Sequence, residues 1–424
     1  MSTIIGIIII LLIVLISSKN IYNAYWFGLF IVIAYPNATY VDTLMYTRIF
    51  GGLNVMQIVP ATLLFAYIFK KHRIRIRRNA LSLSLILLLF VYIWGLLISN
   101  AALIDVLKDF QKYLVTYFWM ILTVSIFRNG FNLQRFEFVL LRALLVNVIL
   151  GFILFLLRND IPYTQTMAID AETNAALLSA SSLYLLAICY AIYLLFSAQS
   201  FKRVRLELIT GLLCFIYLMI CTKSRTNIFL ILIFYIYILC KYHRNTSRKL
   251  AITSLLVVIM IVAFNIFHDT VLIKRITDTS LKLQSLMGNT ETLSTRINTF
   301  KYYINQIMRA PFGNGFGKKY RFINQYGRYH GYGDFYLDNA LINIGLKCGI
   351  LGMTANLYLF FVLPIYKFYK CNNDISYKMI IYLLIIFSSM VMTSQGSKDY
   401  QVSCVVSILC MASCLRKSNS NNNY

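Results

Sequence analysis

A chain of 424 residues that is 59% hydrophobic and only 13% charged cannot have water as its main solvent, because an ordinary globular protein is roughly 25% charged. The formal net charge of +25 would suit nucleic acid in a soluble protein, but the basic residues sit in short connections between apolar runs, the pattern of a membrane protein facing an anionic inner leaflet. Nine cysteines without C-x-x-C spacing and four scattered histidines argue for neither a disulfide framework nor a metal site.

Crossing the hydrocarbon core takes about 20 mostly apolar residues per helix. Such runs fall near 2–18, 21–36, 53–69, 80–99, 113–127, 138–157, 173–197, 206–222, 226–240, 250–267, 339–365, 378–393 and 400–414. They predict an all-α, polytopic transmembrane helix bundle of about 12 or 13 spans, with residues 1–424 forming a single membrane domain. Residues 1–18 lack a basic leader and an A-x-A-like cleavage site, so they are expected to stay as the first span. Every second connection is basic: Lys19, Lys70 to Arg78, Arg128 with Arg135, Lys202 to Arg205, Lys241 to Lys249, Lys367 to Lys378, and Arg416 with Lys417. The others hold acids, Asp42, Asp105, Asp109, Asp160, Asp170, Glu172 and Asp399 among them. This alternation puts the basic loops and the C-terminus in the cytoplasm.

Residues 268–338 interrupt the rhythm as one large extracytoplasmic loop inserted between membrane helices. A connection this long is usually functional or disordered, and its many aromatic residues favour order. Ile297, Phe300, Ile304, Ile307 and Met308 recur at helical spacing, opposite Asn298, Lys301, Asn305 and Arg309. That spacing predicts a short amphipathic helix lying on the membrane surface or packed on the bundle. Pro311 ends it, and Gly313, Gly315 and Gly317 form a permissive turn.

Three places carry more than packing. In the hairpin Cys221 to Asn227, Lys223 and Arg225 lie on the side where cations are scarce. A plain turn with snorkelling ends accounts for them, and so does an anion site in which Arg225 offers a planar fork to phosphate oxygens. Arg296 opens the amphipathic helix, and the glycine turn that follows it has backbone amides of the kind that hold phosphate when they line a concavity. A solvated arginine and a flexible turn are the plainer account. Finally, Asp338-Asn339, nine residues and Gly349-Ile-Leu-Gly352 place a carboxylate and an amide where the loop enters a helix. Capping and close packing explain those types, and capping is compatible with catalysis.

Taken together, Ser224-Arg225 in an outer hairpin, Arg296 and P-x-G-x-G-x-G in a later outer loop, and D-N-x9-G-x-x-G entering a helix resemble the O-antigen ligase and polymerase superfamily. The resemblance covers about residues 206–365, while the N-terminal half matches only as a set of spans. The superfamily comprises polytopic enzymes that move glycans from undecaprenyl diphosphate. The resemblance implies that Arg225 and Arg296 bind the lipid diphosphate and stabilise it as a leaving group. Asp338 stands where many ligases have histidine, which points toward a polymerase. Asp338 is then the first choice of proton acceptor for the attacking sugar hydroxyl, ahead of Glu291 and Asp334. Lys223, Ser224, Arg309, Gly313, Gly315, Gly317, His330 and Asn339 complete the expected substrate contacts.

The expected activity is a polysaccharide repeat-unit polymerase for O-antigen, capsule or exopolysaccharide, a metal-independent glycosyltransferase without a cofactor. Its donor and acceptor are undecaprenyl-diphosphate-linked oligosaccharides at the outer face of a bacterial cytoplasmic membrane. The partners implied are membrane lipid and the chain-length regulator and flippase of the same pathway, with no nucleic acid. A ligase serving a different acceptor and a lipid-linked oligosaccharide flippase are the alternatives. A flippase needs charges lining a cavity through the bilayer, whereas mid-span charges are nearly limited to Lys347, Arg142 and Glu207.

Overall fold

In an apolar medium a helix satisfies its backbone donors and acceptors within one segment, and most of the apolar runs fold that way. The computed structural model describes residues 2–34, 55–70, 80–127, 130–156, 169–170, 175–176, 181–196, 204–219, 225–241, 291–323, 328–334, 339–370, 376–392 and 400–415. The helices are α1 (Ser2–Lys19), α2 (Ile21–Ala34), α3 (Val55–Phe69), α4 (Ala80–Leu97), α5 (Leu103–Ile126), α6 (Leu133–Leu156), α7 (Ser181–Phe196), α8 (Arg205–Tyr217) and α9 (Arg225–Lys241). After them come α10 (Glu291–Arg309), α11 (Ala340–Leu357), α12 (Leu363–Lys370), α13 (Ser376–Phe387) and α14 (Tyr400–Leu415). A π-helical turn, Tyr358–Val362, joins α11 to α12, and a second, Ser388–Met392, follows α13. The expected run at 250–267 lies outside the described residues.

Among the described residues, two stretches are long and apolar enough to cross a membrane, Leu133–Ile153 and Ala340–Lys367, and eight shorter apolar helices accompany them. The outer faces of these helices are apolar as well. Phe69, for example, is 81% exposed, and Leu15, Phe65, Leu83 and Leu97 are exposed with it.

The fold is almost entirely helical, as expected, with a short antiparallel pair, Tyr320–Ile323 (β3) with Tyr329–Asp334 (β4), between α10 and α11. The register sets Tyr320 against Asp334 and Phe322 against His330, with an irregularity between them. A second pair, Ile169–Asp170 (β1) with Ala175–Ala176 (β2), is only two residues long on each side. One expectation needs correction: α5 starts at Leu103 rather than near residue 113. Its first turns are amphipathic, with Val106, Asp109 and Tyr113 buried while Leu103, Ile104 and Leu107 stay exposed.

The main core is built round Trp119, Tyr25, Tyr92, Tyr184 and Tyr217, all fully or almost fully buried. Polar side chains tie its helices together. Asn147 on α6 donates to the Ile33 carbonyl at 2.8 Å, and Gln401 on α14 donates to the Val32 carbonyl at 2.9 Å. Buried amides need such partners when water is absent. A smaller core of Tyr303, Ile307, Tyr320, Ile323, Ile342 and Leu346 joins α10 and β3 to α11.

Candidate functional site

The glycine turn is the joint on which the segment between α9 and α11 meets the bundle. After Pro311, the chain runs between α11 and the connection from α4 to α5. A kink at Gly349, where φ is +73°, interrupts the ladder of α11. The Ile350 amide turns away from its own helix and donates to the Pro311 carbonyl at 2.9 Å. Carbonyls of the preceding helical turn accept in return, Leu346 from the Asn314 amide at 2.8 Å and Lys347 from the Gly315 amide at 2.9 Å. Each segment therefore supplies the partners that the other's irregular backbone lacks. No other residue type fits at Gly349, because a Cβ there would stand 2.0 Å from the Pro311 carbonyl oxygen.

Phe316 plugs the turn into the bundle. It is fully buried, rests over Gly95, and meets the rings of Phe110 and Tyr113 with centroids 5.3 and 5.2 Å away. Its amide donates to the Gly95 carbonyl at 3.1 Å, and its carbonyl accepts from the Ser99 hydroxyl at 2.6 Å. Trp94 donates from Nε1 to the Phe312 carbonyl at 3.0 Å.

At the centre lies a buried ion pair. Lys347 on α11 donates from Nζ to Asp109 Oδ1 on α5, and both side chains are fully buried. The other carboxylate oxygen of Asp109 accepts from the Gly317 amide at 2.9 Å. The ammonium also lies 5.1 Å from the ring centre of Tyr113, in cation–π range. One carboxylate thus fastens α5, α11 and the glycine turn together. Lys347 stood out in the sequence as one of the few mid-span charges. Asp109 did not, because it was assigned to a loop.

The amides of the turn are engaged accordingly. Those of Gly313, Asn314, Gly315, Phe316 and Gly317 all donate to acceptors within the chain. The expected phosphate cradle at Gly313, Gly315 and Gly317 is therefore corrected: these glycines staple the loop, since amides already bonded to the protein leave no donors for an anion.

The remaining expected residues divide between two regions. Asn339 caps α11, its Oδ1 accepting from the Ile342 amide at 2.9 Å. Arg309 closes α10 and is exposed. Arg296 lies within α10, although its side chain falls outside the described residues. His330 lies in β4 and pairs through its backbone with Phe322. These positions share one assembly of α10, the β3–β4 pair, the glycine turn and α11. Arg225 is elsewhere, as the first residue of α9. Asp338, Lys223, Ser224 and the side chain of Arg225 lie outside the described residues.

A polar cluster underlies the start of α9. Asn227 is buried two residues after Arg225, and its Oδ1 accepts from the Ser388 hydroxyl at 3.1 Å; Ser388 in turn lies 3.1 Å from the Ser182 hydroxyl. The π-helical turn that carries Ser388 packs against both α9 and α11. Among the described residues it links the helix that begins at Arg225 to the helix capped by Asn339. Sequence reasoning passed over this cluster, since isolated serines in apolar runs carry no signal of their own.

Residues 210–357 match a family model described as O-antigen ligase. The match supports the O-antigen ligase and polymerase superfamily implied by the sequence motifs. It runs from α8 to the end of α11 and takes in Arg225, Arg296, the glycine turn, Asn339 and Lys347, while Asp109 lies outside it. No curated protein matches the chain. Lipid-linked glycans are the substrates the O-antigen ligase family implies. Among the described residues, no group of three His, Cys, Asp or Glu side chains gathers to form a metal site.

Proposed function

We propose that the protein is a polysaccharide repeat-unit polymerase of the cytoplasmic membrane. The observation that carries this reading is the O-antigen ligase match over 210–357, which spans every one of the expected site residues. The donor is a glycan on undecaprenyl diphosphate and the acceptor is a second lipid-linked repeat. The acceptor hydroxyl oxygen attacks the anomeric carbon of the donor, and the bond from that carbon to the phosphate oxygen breaks. Its electron pair stays with the diphosphate, and the hydroxyl proton passes to Asp338. Arg225 and Arg296 hold the diphosphate as its negative charge grows, which is where preorganised cations in a water-poor site act most strongly. Arginine charge serves where a metal ion would otherwise be needed.

The fold supports the reading in two ways. The capped start of α11 follows Asp338 in the sequence, and the staple from Pro311 to Gly317 ties that helix to the segment before it. The apolar outer faces of α1, α3 and α4 suit a lipid surround, because a soluble monomer rarely exposes contiguous apolar surface of this extent.

Reconstituted protein supplied with carrier-linked oligosaccharide should elongate it, and should continue to do so in EDTA. Arg225→Ala and Arg296→Ala should each abolish polymer while inserting normally. Lysine at either place should restore little, because a point charge does not replace a planar fork. Wild-type polymer from both alanine variants would overturn the assignment. The ligase reading is favoured by the O-antigen ligase character of the matched family, and glycan length separates the two. Loss of a polymerase leaves single repeats, whereas loss of a ligase strands long chains on the carrier.

A further inference from the structure

Lys347 meets Asp109 inside the bundle, but Arg142, the other cation singled out in an apolar run, points outward. Helix α6 carries Arg135, Phe138, Arg142, Val146, Ile149 and Ile153 on one face, and all of them are exposed. Their spacing of three or four residues sets them one above the other in a single stripe. Leu133–Ile153 is long and apolar enough to cross a membrane, so lipid covers this stripe where the protein is embedded.

The side chain of Arg142 shows where its charge is drawn. The apolar run of α6 begins at Phe138, after Gln134, Arg135 and Glu137, and Arg142 stands one turn inside it. Its guanidinium lies 3.9 Å from the ring centre of Phe138, one turn nearer the start of the helix. The charge is thereby returned to the boundary of the apolar run, and the cation–π contact holds it there. Arg135 is fixed two turns before Arg142 on the same face. It donates from Nη2 to Asn23 Oδ1 on α2 at 2.9 Å and stands 5.8 Å from the ring centre of Trp26, so it spans the seam between the two helices. Asn23 occupies one of the five N–H donors of that guanidinium. Glu137, the nearest carboxylate along the helix, faces inward, where its Oε1 accepts from the Tyr382 hydroxyl at 3.0 Å.

Guanidiniums held at a lipid boundary match one chemical group. Arginine presents paired N–H donors to phosphate oxygens, and the phosphates found at that level are those of phospholipid headgroups. Basic sites between membrane helices hold acidic headgroups in this way on the cytoplasmic side, which is where charge alternation expects the Arg128–Arg135 connection. We propose that the seam of α6 and α2 framed by Arg135, Phe138 and Arg142 is a binding site for one anionic phospholipid of the leaflet on that side. Its phosphate pairs with the two guanidiniums, and an acyl chain lies along Val146, Ile149 and Ile153. The inference rests on the reading of the protein as membrane-embedded and is independent of the glycan chemistry.

Native mass spectrometry of the full chain in detergent tests this, with phosphatidylglycerol and phosphatidylcholine as probes at equal concentration. The protein should retain a phosphatidylglycerol under conditions that strip phosphatidylcholine. Arg142→Leu should weaken that retention by roughly fivefold or more, as expected for the loss of a charge-assisted hydrogen bond. Arg142 is exposed, so the fold should survive, and equal melting temperatures in lipid-free detergent will confirm it. Arg135→Gln should weaken retention as well and provides a second, independent reading. Lys108→Gln, which removes an exposed cation on α5, should leave retention as in the wild type. Because the assay reads lipid retention without transfer, a chain that elongates nothing still answers it. Equal retention of the two lipids, full retention by both arginine variants, or an equal loss in Lys108→Gln would each overturn the proposal. So would an Arg142→Leu variant that loses a dimer and keeps its lipid, which would give this face to a second copy of the chain.

Discussion

Asp109 and Lys347 are 238 positions apart in the chain and meet with no water between them. Removing one member of such a pair strands the other as an uncompensated buried charge, at a cost of about 3–5 kcal/mol. Asp109 has a second duty, however, as acceptor for the Gly317 amide. A neutral side chain can perform that duty, which separates the two contributions. Asp109→Asn and Lys347→Met should each destabilise the protein by about that amount in denaturant unfolding from detergent micelles. The double variant Asp109→Asn/Lys347→Met should lose less than either single change, since no charge is left stranded and the asparagine oxygen still accepts from Gly317. A double variant as unstable as the two losses added together would show that the pairing itself is not what holds the joint. Lys347 was visible in the sequence because a cation inside an apolar run is costly wherever it stands. Its partner was hidden because hydropathy does not report tertiary pairing, and the amphipathic start of α5 reads like a loop with two aspartates.

Helix α10 shows a comparable limit one level up. Its periodicity was plain, and a helix formed over Glu291–Arg309, but the face it presents to the protein is not the most apolar one. Thr299, Tyr303 and Ile307 are buried, while Ile297, Phe300 and Met308 from the expected apolar stripe are exposed. Hydroxyl groups decided the matter, because Thr299 and Tyr303 satisfy the backbone of β3 and an all-aliphatic face would leave it unpaired. An amphipathic helix at a membrane boundary buries such an outward apolar stripe among lipid headgroups and acyl chains, which is the placement expected for α10. Phe300→Trp should therefore emit at shorter wavelength in lipid nanodiscs and be quenched by brominated lipid. Asn305→Trp, on an exposed polar part of the same helix, should be quenched far less. Equal quenching at the two positions would detach α10 from the lipid surface. The β3–β4 pair escaped the sequence reading for another reason: Tyr329–Asp334 contains two glycines, which weaken the strand signal of its tyrosines.

At the scale of the whole molecule, the matched segment and the rest of the chain depend on each other. The O-antigen ligase match holds the expected site residues, yet the loop within it is anchored on Gly95, Ser99 and Asp109, which all precede it. The N-terminal helices are thus the frame against which the glycine turn is held. That frame also sets the side of the membrane, since the joint lies at the start of α5 and of α11, the end away from the basic connections at Lys70 and Arg128. Charge alternation predicts those connections to be cytoplasmic, and on that expectation the glycine turn opens on the opposite side, where the proposed polymerase would join lipid-linked repeats. Cysteine introduced at Asn305, measured against the labelling of the parent chain, should react in intact cells with a maleimide that cannot cross membranes. Cysteine at Lys70 should react only once the cells are made permeable. The reverse pattern would put the loop in the cytosol, where no outer-face polymer can be made. Because α5 and α11 are tied by a single buried carboxylate, such a result would invert both halves of the molecule together.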